Sequence, residues 1–153
     1  MVNTKKIEEI LMTSIFEVFE KMFFVFFEHV KGNGGPYNMR AGINFDGPVN
    51  GEMEILFSNG IAETMVKNML NLEHDKITNQ ITADCMKESI NIICGNFVRK
   101  LDSEKGFHLS IPTFEMIPED MQGNRLAEAH ELRLTFAAET GNVEVAMTAK
   151  DVL

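Results

Sequence analysis

The 153-residue chain is poor in cysteine and in positive charge, and it has no apolar run of membrane-spanning length. Its two cysteines, Cys85 and Cys94, stand nine residues apart. At about 100° per residue that spacing puts them on opposite sides of a helix, where they cannot bridge each other. Free buried thiols, with no signal-peptide pattern at the N-terminus, set the expectation of a reducing, cytoplasmic setting. Lys and Arg number 14 against 23 Asp and Glu, a net charge of -9, and no basic cluster occurs. Phosphate backbones and anionic lipid repel such a chain, so nucleic acid and bare membrane are poor partners, and a protein or a small ligand is expected instead. The most lipid-like segment, Met22 to Phe27, stops at Lys21 and Glu28. A spanning helix needs roughly 20 apolar residues, so this segment reads as a buried helix face.

Several chemistries are excluded by absent patterns. The histidines at 29, 74, 108 and 130 lie in different segments without ligand spacing, so no zinc site of the protein's own is expected. No serine sits in a nucleophile elbow. Asn33, Gly34 and Gly35 lack the lysine and hydroxyl residue of a phosphate loop.

What is present is an ordinary globular composition, 44% hydrophobic and 24% charged, which predicts a single domain over residues 1–153. Apolar residues recur at three-and-four spacing from Ile7 to Val30, predicting one long helix from Thr4 to Val30 that starts at Asn3 or Thr4 and ends at the glycines after Lys31. Alternation over Ala41 to Phe45 and Glu52 to Phe57 predicts a hairpin turning at Asp46, Gly47 and Pro48. A short helix follows from Ser58 to Asn71. A second long helix is expected from Ile77 to Leu101, with Met86, Ile90, Cys94 and Phe97 on its apolar face. A strand over Phe107 to Ile117, a polar loop from Pro118 to about Ala129, and strands over His130 to Ala138 and Val143 to Lys150 complete the chain, the last two joined by a turn at Glu139 to Asn142. Each half thus holds a long helix and paired strands, which suggests an internal duplication and therefore two candidate sites.

On the second long helix, Asp84 placed at zero puts Glu88 near 40°, Asn91 near -20° and Gly95 near 20°, at about 100° per residue. The four form a narrow stripe pointing away from the apolar face. Asn costs roughly 0.6 and Gly about 1 kcal/mol relative to Ala inside a helix, so their choice here runs against local propensity. A solvated polar face, with a glycine allowing close packing, is the structural alternative. Glu88 and Asn91 are i and i+3 neighbours, roughly 5 to 6 Å apart at Cβ, and can enter one partner cleft together. A carboxylate suits a lysine partner. An amide can hold a water in line with a phosphorus atom without acting as a base, which is enough for phosphoryl transfer through a loose transition state.

Asp84, three residues, Glu88, two residues, Asn91, then Pro112 within Leu109 to Thr113, resembles the signature of the CheC, CheX and FliY chemotaxis phosphatases. The motif covers about thirty residues, while the layout covers nearly the whole chain; the gap of 20 residues from Asn91 to Pro112 is shorter than the family's. The resemblance implies an α+β, CheC/CheX-like fold of two pseudo-symmetric halves, long helices packed on an antiparallel sheet. It also implies hydrolysis of the phospho-aspartate of a CheY-like receiver domain in two-component signalling. Asn91 would then orient the attacking water and Glu88 pair with the regulator's lysine, while Asp84, Gly95 and Pro112 would meet the partner. No cofactor of its own is implied, Mg²⁺ being held by the receiver. The first helix carries Ser14, Val18 and Lys21 where an acid and an amide would be needed. One active stripe is most like CheX and implies a homodimer. The rival expectation is a non-catalytic module, an adaptor or a flagellar switch component similar to FliY or FliM core domains.

Overall fold

The computed structural model describes residues 3–32, 34–121 and 132–150. Helix α1 runs over Thr4–Met22, and Asn3 caps it by accepting the Lys6 amide at 2.8 Å. It stops eight residues before the expected end. Phe24 takes a left-handed φ of 55°, and the Val25 amide donates to the Phe19 carbonyl, which closes the helix in the manner of a Schellman turn. From there Phe23, Val25 and Phe27 are buried while Phe24 and Phe26 are exposed. That is a period of two, so the phenylalanine-rich run is extended chain leading into strand β1, Glu28–Val30, and not helix.

The hairpin forms as expected from β2, Met39–Asp46, and β3, Asn50–Phe57. Asn50 Oδ1 accepts the Gly47 amide inside its turn. Helix α2 covers Asn59–Leu70 and helix α3 covers Asn79–Leu101, the latter capped by Thr78, whose Oγ1 accepts the Ile81 amide. The strand expected over Phe107 to Ile117 is two strands, β4 at His108–Leu109 and β5 at Thr113–Met116. Pro112 lies in the break, where its missing N–H interrupts no ladder bond. Of the polar loop after Pro118, the described part holds a short 3₁₀ turn at Glu119–Met121, and residues 122–129 lie outside the described residues. Strand β6 covers Leu132–Ala138 and β7 covers Gly141–Lys150, so the turn is Glu139 and Thr140 alone, and the expected Gly-Asn pair already belongs to β7. Residues 130 and 131, where the last hairpin was expected to start, also lie outside the described residues.

All seven strands form one antiparallel sheet in the order β1-β6-β7-β3-β2-β4, with β5 also on β2. The strand after each long helix therefore pairs with the other half's hairpin, and β3 meets β7 at the centre. This is a pseudo-two-fold arrangement, α+β in class, with three helices on one face. Pairing of Met53 with Met147 and Ile55 with Val145 lines that face with apolar side chains. They join Leu11, Ile15, Phe19, Met86, Ile90 and Phe97 in one continuous core. Apolar burial of this extent is the main stabilising term.

Candidate active site

Helix α3 is fixed from behind. Cys85, Met86, Ser89, Ile90, Ile93, Cys94, Phe97 and Val98 are buried, and the helix packs on α1, α2, β2 and β5. With that side anchored, the stripe has to face outward. Asp84 and Glu88 are exposed, and Asn91 and Gly95 are half-buried at the shoulder of the helix. The wheel thus places all four as expected. Both cysteines are free and buried; burial, and secondarily the Asp84 charge, pushes the Cys85 thiol up, and burial pushes Cys94 up to about 12.

Two residues that the motif omits tie the stripe down. Gln80 Nε2 donates to Asp84 Oδ1 at 2.9 Å, and Lys87 Nζ stands 3.8 Å from the same oxygen. Their i+4 and i+3 spacings to Asp84 were a usable signal for finding them. Asp84 is thus partly satisfied within its own helix. Glu88 and Asn91 make no side-chain hydrogen bond or ion pair among the described residues. An acid and an amide are therefore presented side by side, with their bonding capacity unspent.

Gly95 departs from the packing alternative. A Cβ built there meets nothing within 4 Å, whereas one at Gly51 would collide with the Thr148 carbonyl and one at Gly60 with the Thr140 carbonyl. Gly95 also has no positive φ. Neither conformation nor close packing among the described residues calls for glycine at that point.

Pro112 is half-buried, and its segment is pinned to β2. The Ser110 amide donates to the Asn44 carbonyl, the Asn44 amide donates to Ser110 Oγ, and Thr113 Oγ1 donates to the Gly42 carbonyl. Strand β5, which begins just after it, packs along α3. No hydrogen bond among the described residues joins Pro112 to Glu88 or Asn91. Beside it, Ile111 is 88% exposed.

A hollow of about 590 Å³ lies on the other face of the sheet, lined by Arg40, Asn44, Glu52, Glu54 and Glu115, and includes no stripe residue. The stripe lies on the helix surface, away from that hollow. Among the described residues no group of three or more His, Cys, Asp or Glu could hold a metal ion, and no helix is long and apolar enough to cross a membrane.

The structure also corrects the comparison of the two halves. Ser14 and Val18 are buried in α1, so they cannot be the counterparts of an exposed stripe. Aligning the buried faces instead pairs Ile7 with Met86, Leu11 with Ile90, Ser14 with Ile93, Ile15 with Cys94, Val18 with Phe97 and Phe19 with Val98. By this alignment Lys5, Glu9, Met12 and Phe16 correspond to Asp84, Glu88, Asn91 and Gly95. The acid is kept on α1, but methionine stands for the amide and phenylalanine for the glycine.

Fold and site together define an α+β protein with a polar stripe on the outer face of a long helix packed against an antiparallel sheet. The model of the chemotaxis phosphatase CheX family matches residues 39–125, more than half of the chain, and the chain belongs to that family. No curated protein sequence matches. Among solved structures, the chemotaxis protein CheX from Vibrio vulnificus is similar at a TM-score of 0.76 and 21% identity, covering 95% of this chain and 97% of that one. CheX from Desulfovibrio desulfuricans gives 0.72 and 20%, covering 94% and 99%. A chain in the CheX-CheY-BeF3-Mg²⁺ complex from Borrelia burgdorferi gives 0.71 and 22%, covering 94% and 97%. These likenesses establish the CheX/CheC-like fold.

Proposed function

We propose that this protein hydrolyses the phospho-aspartate of a CheY-type receiver domain, with Glu88 and Asn91 entering the receiver's active-site cleft. The observation that carries this reading is the pair itself: an exposed acid and a half-buried amide on one anchored helix face, with no side-chain partner among the described residues, in a member of a chemotaxis phosphatase family. The Borrelia CheX-CheY complex supports a receiver of that class as the partner.

In this reading Glu88 accepts from the receiver's lysine and fixes the register of docking. Asn91 holds a water through its amide, one lone pair of the water aimed at phosphorus. Because the transition state is loose, alignment and charge neutralisation matter more than deprotonation, so an amide with no useful basicity is adequate. The water oxygen attacks phosphorus, the bond to the aspartyl oxygen breaks, and inorganic phosphate leaves. Mg²⁺ is assigned to the receiver's own carboxylates. Asp84, Gly95 and Pro112 border the contact, and a homodimer in the cytoplasm is the assembly that the family resemblance favours.

The test is the decay of a phosphorylated CheY-type receiver in Mg²⁺. Added protein is expected to shorten the phosphoryl lifetime and Asn91→Ala to lose that effect while keeping its helical spectrum. Unchanged lifetimes across the CheY-type receivers encoded with this protein would sink the proposal and favour a binding module.

A further inference from the structure

We infer that Gly95 is a clearance residue: the missing side chain lets the backbone of the docked receiver lie directly against α3, one turn beyond Asn91, and so decides whether the amide can reach the phosphoryl group. This rests on the function proposed above and specifies how the partner seats.

Three observations converge. First, glycine inside a helix is unfavourable by about 1 kcal/mol relative to alanine, and position 95 lies well inside the 23-residue α3. Second, nothing among the described residues repays that cost. The residue is helical without a positive φ, and a Cβ there meets open space, unlike the packed glycines at 51 and 60. Third, the corresponding position on α1 is filled. Phe16 sets its ring edge-on to Phe136 of β6 at 5.5 Å between centroids, whereas a side chain at Gly95 would meet open space. Gly95 also lies i+4 from Asn91, so a side chain there would rise beside the amide. Glycine at such a point serves the close approach of another backbone. The occupant is the receiver, because the adjoining Glu88 supplies the carboxylate that its active-site lysine complements.

The consequence is a pair of effects with opposite signs. Gly95→Ala should raise Tm by about 2–4 °C, since it improves helix propensity without meeting an obstacle. The same change should weaken binding of a beryllofluoride-loaded CheY-type receiver by about tenfold, and Gly95→Phe, which copies α1, should weaken it by about a hundredfold while the protein stays folded. Both variants are measured beside Asn91→Ala. If Gly95→Phe binds and hydrolyses like wild type while Asn91→Ala is inactive, the clearance role is wrong and the phosphatase reading stands. If Asn91→Ala hydrolyses like wild type, the phosphatase reading itself fails. A loss of Tm in Gly95→Ala would overturn the inference from the other side, by showing that the glycine serves this chain's own packing.

Discussion

Helices α1 and α3 hold equivalent places on either side of the pseudo-two-fold, and each of the six buried residues of α1 has a buried counterpart on α3, yet their outer faces differ in kind. On α3 the face reads Asp84, Glu88, Asn91, Gly95; on α1 it reads Lys5, Glu9, Met12, Phe16. The buried residues answer to the same sheet and so stay alike. Of the outer residues, Phe16 packs on Phe136 and Asp84 is held by Gln80 and Lys87, whereas Glu88 and Asn91 have no side-chain partner among the described residues. A carboxylate is present on both faces, so a carboxylate alone does not define the site; the amide and the gap beside it do.

The comparison can be broken most sharply by exchange. Asn91→Met gives α3 the residue of α1, and receiver dephosphorylation should fall at least about 10²-fold, the scale expected when reacting groups lose alignment. The reverse change, Met12→Asn in an Asn91→Ala background, should restore no hydrolysis, because Phe16 still stands where Gly95 leaves room. Recovery of activity in receiver-decay assays would show that the amide alone separates the faces.

Glu88→Ala should weaken receiver association by about tenfold, with a smaller effect on turnover at saturation, because it removes a charge-assisted contact that positions the partner. Glu9→Ala should leave both unchanged, and titrations of the two variants side by side check this.

Stability should respond in opposite directions on the two helices. Phe16→Ala loses part of an aromatic contact and should cost about 2 kcal/mol in denaturant unfolding, less than a fully buried phenylalanine. Gly95→Ala should gain about 1 kcal/mol.

The smallest effect lies on the buried side, where α3 has Cys94 opposite Ile15 of α1. Burial pushes that thiol from 9.0 up to about 12. The folded state thus favours the neutral form, a contribution fully present below pH 9 and lost as pH rises from 9 toward 12. Cys94→Val should flatten the fall of Tm across that interval, and a thiol reagent at pH 8 should leave native Cys94 unmodified.

Much of this was legible from spacing. The three-and-four period located α3 and its stripe, and alternation located the central hairpins. The errors have identifiable causes. The run Phe23 to Phe27 satisfies a helical template and an alternating one at once, and only Phe24 in a left-handed conformation decides between them. The break at Pro112 was hidden because Phe107 to Ile117 reads as one strand, although proline cannot donate to a ladder. The counterpart of the stripe on α1 was misplaced because, without the sheet, no period says which turn of one helix matches which turn of another. Gly95 was visible as an anomaly, but its meaning required knowing that the space above it is empty.

The central claim is that Asn91 serves the water and Glu88 serves the docking. Its most direct test measures binding and turnover together for Asn91→Ala: affinity for a beryllofluoride-loaded CheY-type receiver, and phosphoryl lifetime at saturating protein. Affinity within about threefold of wild type and a phosphoryl lifetime no shorter than that of the receiver alone are expected. A shortened lifetime in the variant, or binding lost along with turnover, would contradict it.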